Sequence, residues 1–184
     1  MPIKKYKTYT LQNFDQLPQI IGLSEEFIEP IRTVGQVLPF RANNYVVEEL
    51  IDWSNIPEDP IFTLTFPRKE MLSKTHYNKV RELLQGNVER EVVKKTVNDI
   101  RMKLNPNPAG QEHNVPTFRG KKLNGMQHKY RETVLFFPSQ GQTCHAYCTF
   151  CFRWTQFSGM NDFKFAMKEA DLLHDYLRHH KQVT

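Results

Sequence analysis

Cys144, Cys148 and Cys151 are the only cysteines in this 184-residue chain, and they stand as Cys-His-Ala-Tyr-Cys-Thr-Phe-Cys. Three thiols within eight residues are a set of soft ligands on one short loop. Thiolates are what iron–sulfur clusters require, and three of them can hold three corners of a [4Fe–4S] cube. A fourth protein ligand would close such a cluster for electron transfer. Three leave one iron open to bind something else.

Two other chemistries compete for the same residues. Zinc sites pair their ligands into two short arms, Cys-x2–4-Cys or His-x3–5-His, separated by a dozen or more residues. This chain has one arm, although His145, His128 or His113 could supply a fourth ligand to it. A disulfide framework fails on parity, since three cysteines leave one over.

The composition fits an ordinary globular domain, with 39% hydrophobic and 24% charged residues. No apolar run approaches the ~18 residues of a membrane span. The basic start, Met1-Pro-Ile-Lys-Lys-Tyr-Lys7, leads into polar sequence without a secretory apolar stretch. A reducing, cytoplasmic setting is the expectation. The net charge of +5 is uneven: Arg101, Lys103, Arg119, Lys121, Lys122, Lys129 and Arg131 face one acid, Glu112, so this stretch is +6 and the rest −1. Such a surface suits phosphate or carboxylate groups of small ligands, or is simply a solvated face. The basic residues are too sparse, and lack the aromatic interleaving, for nucleic acid.

The elements that must position the thiols read as α/β. Residues 1–104 are expected to be a helical N-terminal region. Ser24 opens a helix with Phe27, Ile28, Ile31, Val34 and Val37 on one face, and Asn43 or Asn44 opens a second with Val46, Val47, Leu50 and Ile51. Pro57, Pro60 and Pro67 forbid a continuing helix between Ile56 and Pro67. Ser73 caps a third carrying Tyr77, Val80, Leu83 and Leu84, which Gly86 ends, and Val88–Leu104 repeats the pattern. Residues 105–132 read as an extended basic connection. Thr133–Phe137 is an apolar run of the kind that forms a buried parallel strand. The cysteine loop follows it directly. Phe163–His180 is the last helix, its buried face being Phe165, Ala166, Ala170, Leu173 and Leu177. Residues 133–184 thus form a strand–loop–helix unit with the thiols at the strand's carboxyl end, where active sites collect in such folds.

Four segments lead in order to the cysteines: Leu64-Thr-Phe-Pro67, Asn105-Pro-Asn-Pro-Ala-Gly-Gln111, Gln127-His-Lys-Tyr130 and Thr133-Val-Leu-Phe-Phe-Pro138. Together with the Cys-x3-Cys-x2-Cys spacing they resemble the amino-terminal portion of the lysine 2,3-aminomutase family of radical S-adenosylmethionine (SAM) proteins. The resemblance covers roughly the second two-thirds of the chain. It implies a [4Fe–4S] cluster on Cys144, Cys148 and Cys151, with SAM chelated at the open iron and cleaved reductively. It implies that Phe150 lies against the adenine of SAM and that Arg153 clamps an amino-acid carboxylate, for which a guanidinium fork is suited. Lys129, Tyr130 and Arg131 would lie near the phosphate of pyridoxal 5′-phosphate (PLP). The implied reaction is a PLP-assisted shift of an amino group between adjacent carbons of an amino acid. An electron donor such as flavodoxin or ferredoxin is implied with it, and a homo-oligomer at full length. No acid–base residue is identified.

The resemblance also implies a truncated partial (β/α) barrel. In the family, the glycine-rich SAM segment and the PLP lysine lie downstream, whereas here Gly159 is the one glycine after Cys151. Residues 1–184 alone are therefore expected to be inactive in the amino shift. A radical SAM relative without PLP and a non-enzymatic zinc-binding module are the alternative readings.

Overall fold

The computed structural model describes residues 5–104, 113–139, 144, 146–148, 154, 158, 160 and 170–184. They fall into two compact units. One comprises Met1–Leu104 with Cys144–Trp154, and the other Asn105–Thr143 with Thr155–Thr184.

The first unit is mostly helical. A two-residue antiparallel ladder between β1 (Thr8–Tyr9) and β2 (Ala42–Asn43) ties its start to the chain beyond the first helix. Asn44 locks this ladder: its Oδ1 accepts from the Lys7 N–H at 2.9 Å and its Nδ2 donates to the Lys5 carbonyl at 3.3 Å. Helix α1 spans Glu25–Val37, with Glu25 and Glu26 in the first turn where the helix dipole favours acids. Its inward face divides between two cores. Ile31 joins Phe14, Leu17, Ile20, Val47, Phe62 and Phe66, while Val34 and Val37 join Leu72, Tyr77, Val80, Val97 and Ile100.

Helices α3 (Lys74–Gln85) and α4 (Arg90–Leu104) cover the second of these cores. Ser73 caps α3 as its sequence suggests, its Oγ accepting from the His76 N–H at 3.3 Å, and Gly86 is the C-cap. In the first core one expectation holds and one is corrected. The helix expected from Asn43 or Asn44 does form: residues 44–50 are helical and end in a wide turn, Val46–Leu50, closed by the Ile51 N–H on the Val46 carbonyl. Asn43 opens it, its Oδ1 accepting from the Val46 N–H at 3.0 Å; Val47 and Ile51 of the expected stripe are buried and Leu50 is exposed. Between Ile56 and Pro67 a short helix, α2 (Pro60–Thr65), does form. Pro60 takes a first-turn position, where a missing N–H costs nothing. Buried Asp59 caps it, Oδ1 accepting from the Phe62 N–H at 2.7 Å.

Two of the polar groups in this unit are spent on packing. Arg101 belongs to the basic stretch, yet its guanidinium turns inward and donates to the Gln36 and Val37 carbonyls, each at 2.8 Å. These are carbonyls of the last turn of α1, which lack intrahelical partners. Burial pulls the Arg101 pKa down. The Tyr77 hydroxyl donates to Glu29 Oε2 at 3.1 Å. Burial, then the Glu29 hydrogen bond, push the Tyr77 pKa from 10.0 up to about 12. The unfolded chain therefore gives up this proton first as pH rises, so the contribution of Tyr77 is whole below pH 10.0 and lost between 10.0 and about 12. Denaturation midpoints measured across that window should fall in the wild type by one proton's slope more than in Tyr77→Phe. Equal slopes would show that the hydroxyl is not held as described.

The second unit contains two hairpins and a helix. Strands β3 (Thr117–Phe118) and β4 (Lys121–Lys122) pair antiparallel around Arg119 and Gly120, both at positive φ, as a tight two-residue hairpin turn requires. Strands β5 (Met126–Tyr130) and β6 (Thr133–Phe136) form the second hairpin, with a register shift between Gln127 and Tyr130. Helix α5 (Ala170–His179) supplies Tyr176, which forms a small core with Leu123 and Met126, packed by Phe118, Val134, Phe136, Leu172 and Leu173. Of the expected α5 face, Leu173 and Leu177 are half-buried and Ala170 is exposed, while Phe165 and Ala166 lie outside the described residues.

Residues 133–136 are a strand, as expected, but not a buried parallel one. Their partner is the adjacent segment 126–130, reached through a turn at Arg131-Glu132, and closing so short a loop costs little chain entropy. One face of β6 packs inward through Val134 and Phe136, and Leu135 on the other is 47% exposed. A four-residue apolar run does not reveal by itself whether one face or two will be covered. The described residues are thus mixed helix and short strands, without a closed barrel among them.

Candidate metal centre

The described residues 144 and 146–148 belong to the helical unit. Cys144 is half-buried and Cys148 exposed, and both thiols are free of disulfides. The Cys144 thiol donates to the Ala146 carbonyl at 3.6 Å. Between the two thiols, Tyr147 holds the loop down at both of its polar ends. Its N–H donates to the Leu64 carbonyl at 2.7 Å, and its hydroxyl to the Pro39 carbonyl at 3.0 Å.

Each acceptor is free for this purpose because of its place in the helical unit. Leu64 is in the last turn of α2, whose carbonyls have no N–H further along the helix. Pro67 and the extended Phe66 prevent another turn from claiming it. Pro39 follows the end of α1, whose C-cap is Leu38. Burial, and then the neighbouring Cys144 thiol, push the Tyr147 pKa far above the ordinary tyrosine value, so its hydroxyl remains a donor.

Cys151, Phe150 and Arg153, the expected third cluster ligand, adenine contact and carboxylate clamp, lie outside the described residues. Among the described residues no group of three or more His, Cys, Asp or Glu side chains is placed to hold a metal ion. The donor chemistry of the part that is described suits a cluster. Two unpaired thiols stand four residues apart, one of them open to solvent, with Tyr147 between them held by hydrogen bonds. His128, one candidate fourth zinc ligand, has both ring nitrogens engaged. Nε2 meets the Arg131 carbonyl at 3.3 Å and must be the donor there, which leaves Nδ1 to accept the Tyr176 hydroxyl. The His180 ring stacks on Tyr176 at 3.9 Å.

Lys129, Tyr130 and Arg131 belong to the second unit, at the β5–β6 turn, and all three are exposed. The Lys129 ammonium sits over the Tyr130 ring, 5.4 Å from its centroid, and Arg131 lies 3.9 Å from the Glu132 carboxylate. A phosphate would find a carboxylate beside it on this turn and no enclosing donors among these residues. The basic stretch as a whole is likewise divided. Arg101 is an internal staple, and Arg119 pairs with Asp175 at 3.2 Å.

Sequence reasoning missed Tyr147, the residue that most clearly organises the loop. An aromatic between two cysteines reads as a spacer until its carbonyl partners are known.

No helix among the described residues is long and apolar enough to cross a membrane. No protein-family profile and no solved structure matches the chain significantly. Over 176 residues, 96% of its length, it is 23% identical to the L-lysine 2,3-aminomutase of Bacillus subtilis (strain 168). The chain spans 30% of that protein's length. This is a distant likeness, and it extends across both the helical unit and the cysteine stretch.

Proposed function

We propose that this chain carries the cluster loop of a radical SAM isomerase of the aminomutase type. The observation that carries the reading is the Cys-x3-Cys-x2-Cys set, on a loop whose two described thiols are unpaired and whose backbone is pinned between them. The likeness to an L-lysine 2,3-aminomutase, which runs through the cysteine stretch, also supports it. Cys144, Cys148 and Cys151 would hold a [4Fe–4S] cluster, which supplies one-electron reductive cleavage of SAM. Phe150, one residue before the last thiol, is assigned to the adenine. Arg153 is assigned to the carboxylate of an amino-acid substrate. The amino shift and its PLP requirement are proposed from the likeness, and no step is assigned to Lys129, Tyr130 or Arg131. Reduction calls for an external one-electron donor of the flavodoxin or ferredoxin kind.

Anaerobic reconstitution of the purified chain with iron and sulfide tests the reading. A brown chain should result, with a paramagnetic resonance signal on reduction that changes when SAM is added. A folded chain that rejects iron but takes up zinc would replace this reading with the zinc module.

A further inference from the structure

We infer that Tyr147 is the positioning residue of the cluster loop, seating it on the helical unit by hydrogen bonds from its N–H to Leu64 and from its hydroxyl to Pro39. This rests on the proposed cluster function and adds a residue to it. A loop bearing metal ligands needs its backbone fixed, because ligands held loosely must be ordered each time the metal binds. The described residues of this stretch, 144 and 146–148, form no strand or helix. Tyr147 replaces one: two donors on one residue, 2.7 and 3.0 Å from two different segments, fix both the position and the rotation of the peptide next to Cys148. The two acceptors belong to different parts of the helical unit, one at the end of α2 and one just past α1. The Leu64-Thr-Phe-Pro67 segment thereby gains a role toward the cysteines, since it presents the carbonyl that receives the loop.

Tyr147→Phe keeps the ring and the N–H bond and deletes only the hydroxyl bond to Pro39. In the metal-free chain, alkylation of Cys144 by iodoacetamide should become about fivefold faster, the factor carried by one neutral hydrogen bond. After anaerobic reconstitution, iron loss to a chelator should accelerate by a similar factor, and the line shape of the reduced cluster should broaden. Tyr77→Phe deletes a tyrosine hydroxyl bond elsewhere in the same unit and should leave all three readouts at wild-type values. In the wild type, hydrogen exchange should find the Tyr147 amide protected, as its bond to Leu64 requires.

Wild-type labelling of Cys144 in Tyr147→Phe, or an unprotected Tyr147 amide, overturns the inference. So does an equal response to Tyr77→Phe, which would reduce the effect to general loosening. Failure of the wild type to take up iron would instead overturn the cluster reading, while the metal-free labelling still decides whether Tyr147 seats the loop.

Discussion

Cys148→Ala should abolish iron–sulfur reconstitution while leaving the fold intact. The thiol is exposed, and substitutions at exposed positions away from caps and buried networks usually change stability by no more than about 0.5 kcal/mol. Loss of the visible iron–sulfur absorption would therefore report a lost ligand and not a lost domain. Two thiolates on a short loop cannot hold three corners of a cube, so the effect should be all or nothing, with iron content near background. Cys144→Ala should do the same at somewhat larger structural cost, because that side chain is half-buried. The measurements are iron and sulfide per chain after desalting, beside far-UV circular dichroism. A Cys148→Ala chain that keeps its full colour would remove Cys148 from the ligand set.

The largest expected loss of stability is at Phe66. Its side chain is wholly buried, stacked on Phe62 with ring centroids 4.9 Å apart, and close to Phe40 at 5.2 Å and Trp53 at 5.7 Å. Truncating such a ring to alanine costs about 3–5 kcal/mol, in lost transfer energy plus the cavity left behind. Against a total of about 5–15 kcal/mol for a typical domain, that consumes a large share. Phe66→Leu should recover much of it by refilling the space. The effect should also reach the cysteines, because Phe66 closes α2 and so presents the Leu64 carbonyl to Tyr147. Urea denaturation of the two variants checks the first claim, and Cys144 alkylation in Phe66→Leu the second. A cost below about 1 kcal/mol for Phe66→Ala would contradict a tightly packed aromatic cluster at this position.

Local pattern alone determined much of the helical unit. α1, α3 and α4 lie where apolar residues recur at helical spacing, and Ser24, Ser73 and Gly86 mark ends that the structure keeps. These features are legible because a helix satisfies its backbone within its own segment, so one face and two caps suffice to specify it. The grouping of the three thiols was equally plain, being a matter of covalent spacing. Pro60 was misread because a proline that cannot continue a helix can begin one, and the buried Asp59 cap decides between the two.

Tertiary structure decided where partners are distant or interchangeable. The run 133–136 satisfies its backbone on whichever strand comes alongside, and the nearby segment 126–130 won over a parallel neighbour. Arg101 reads as one more surface cation until the last carbonyls of α1 present themselves to it. Tyr147 finds its acceptor at Pro39 across 108 residues of chain. Neither carbonyl it uses belongs to a side chain, so residue type could not announce them. What makes them available is the ending of two helices, and only the folded arrangement brings those ends to the cysteine loop.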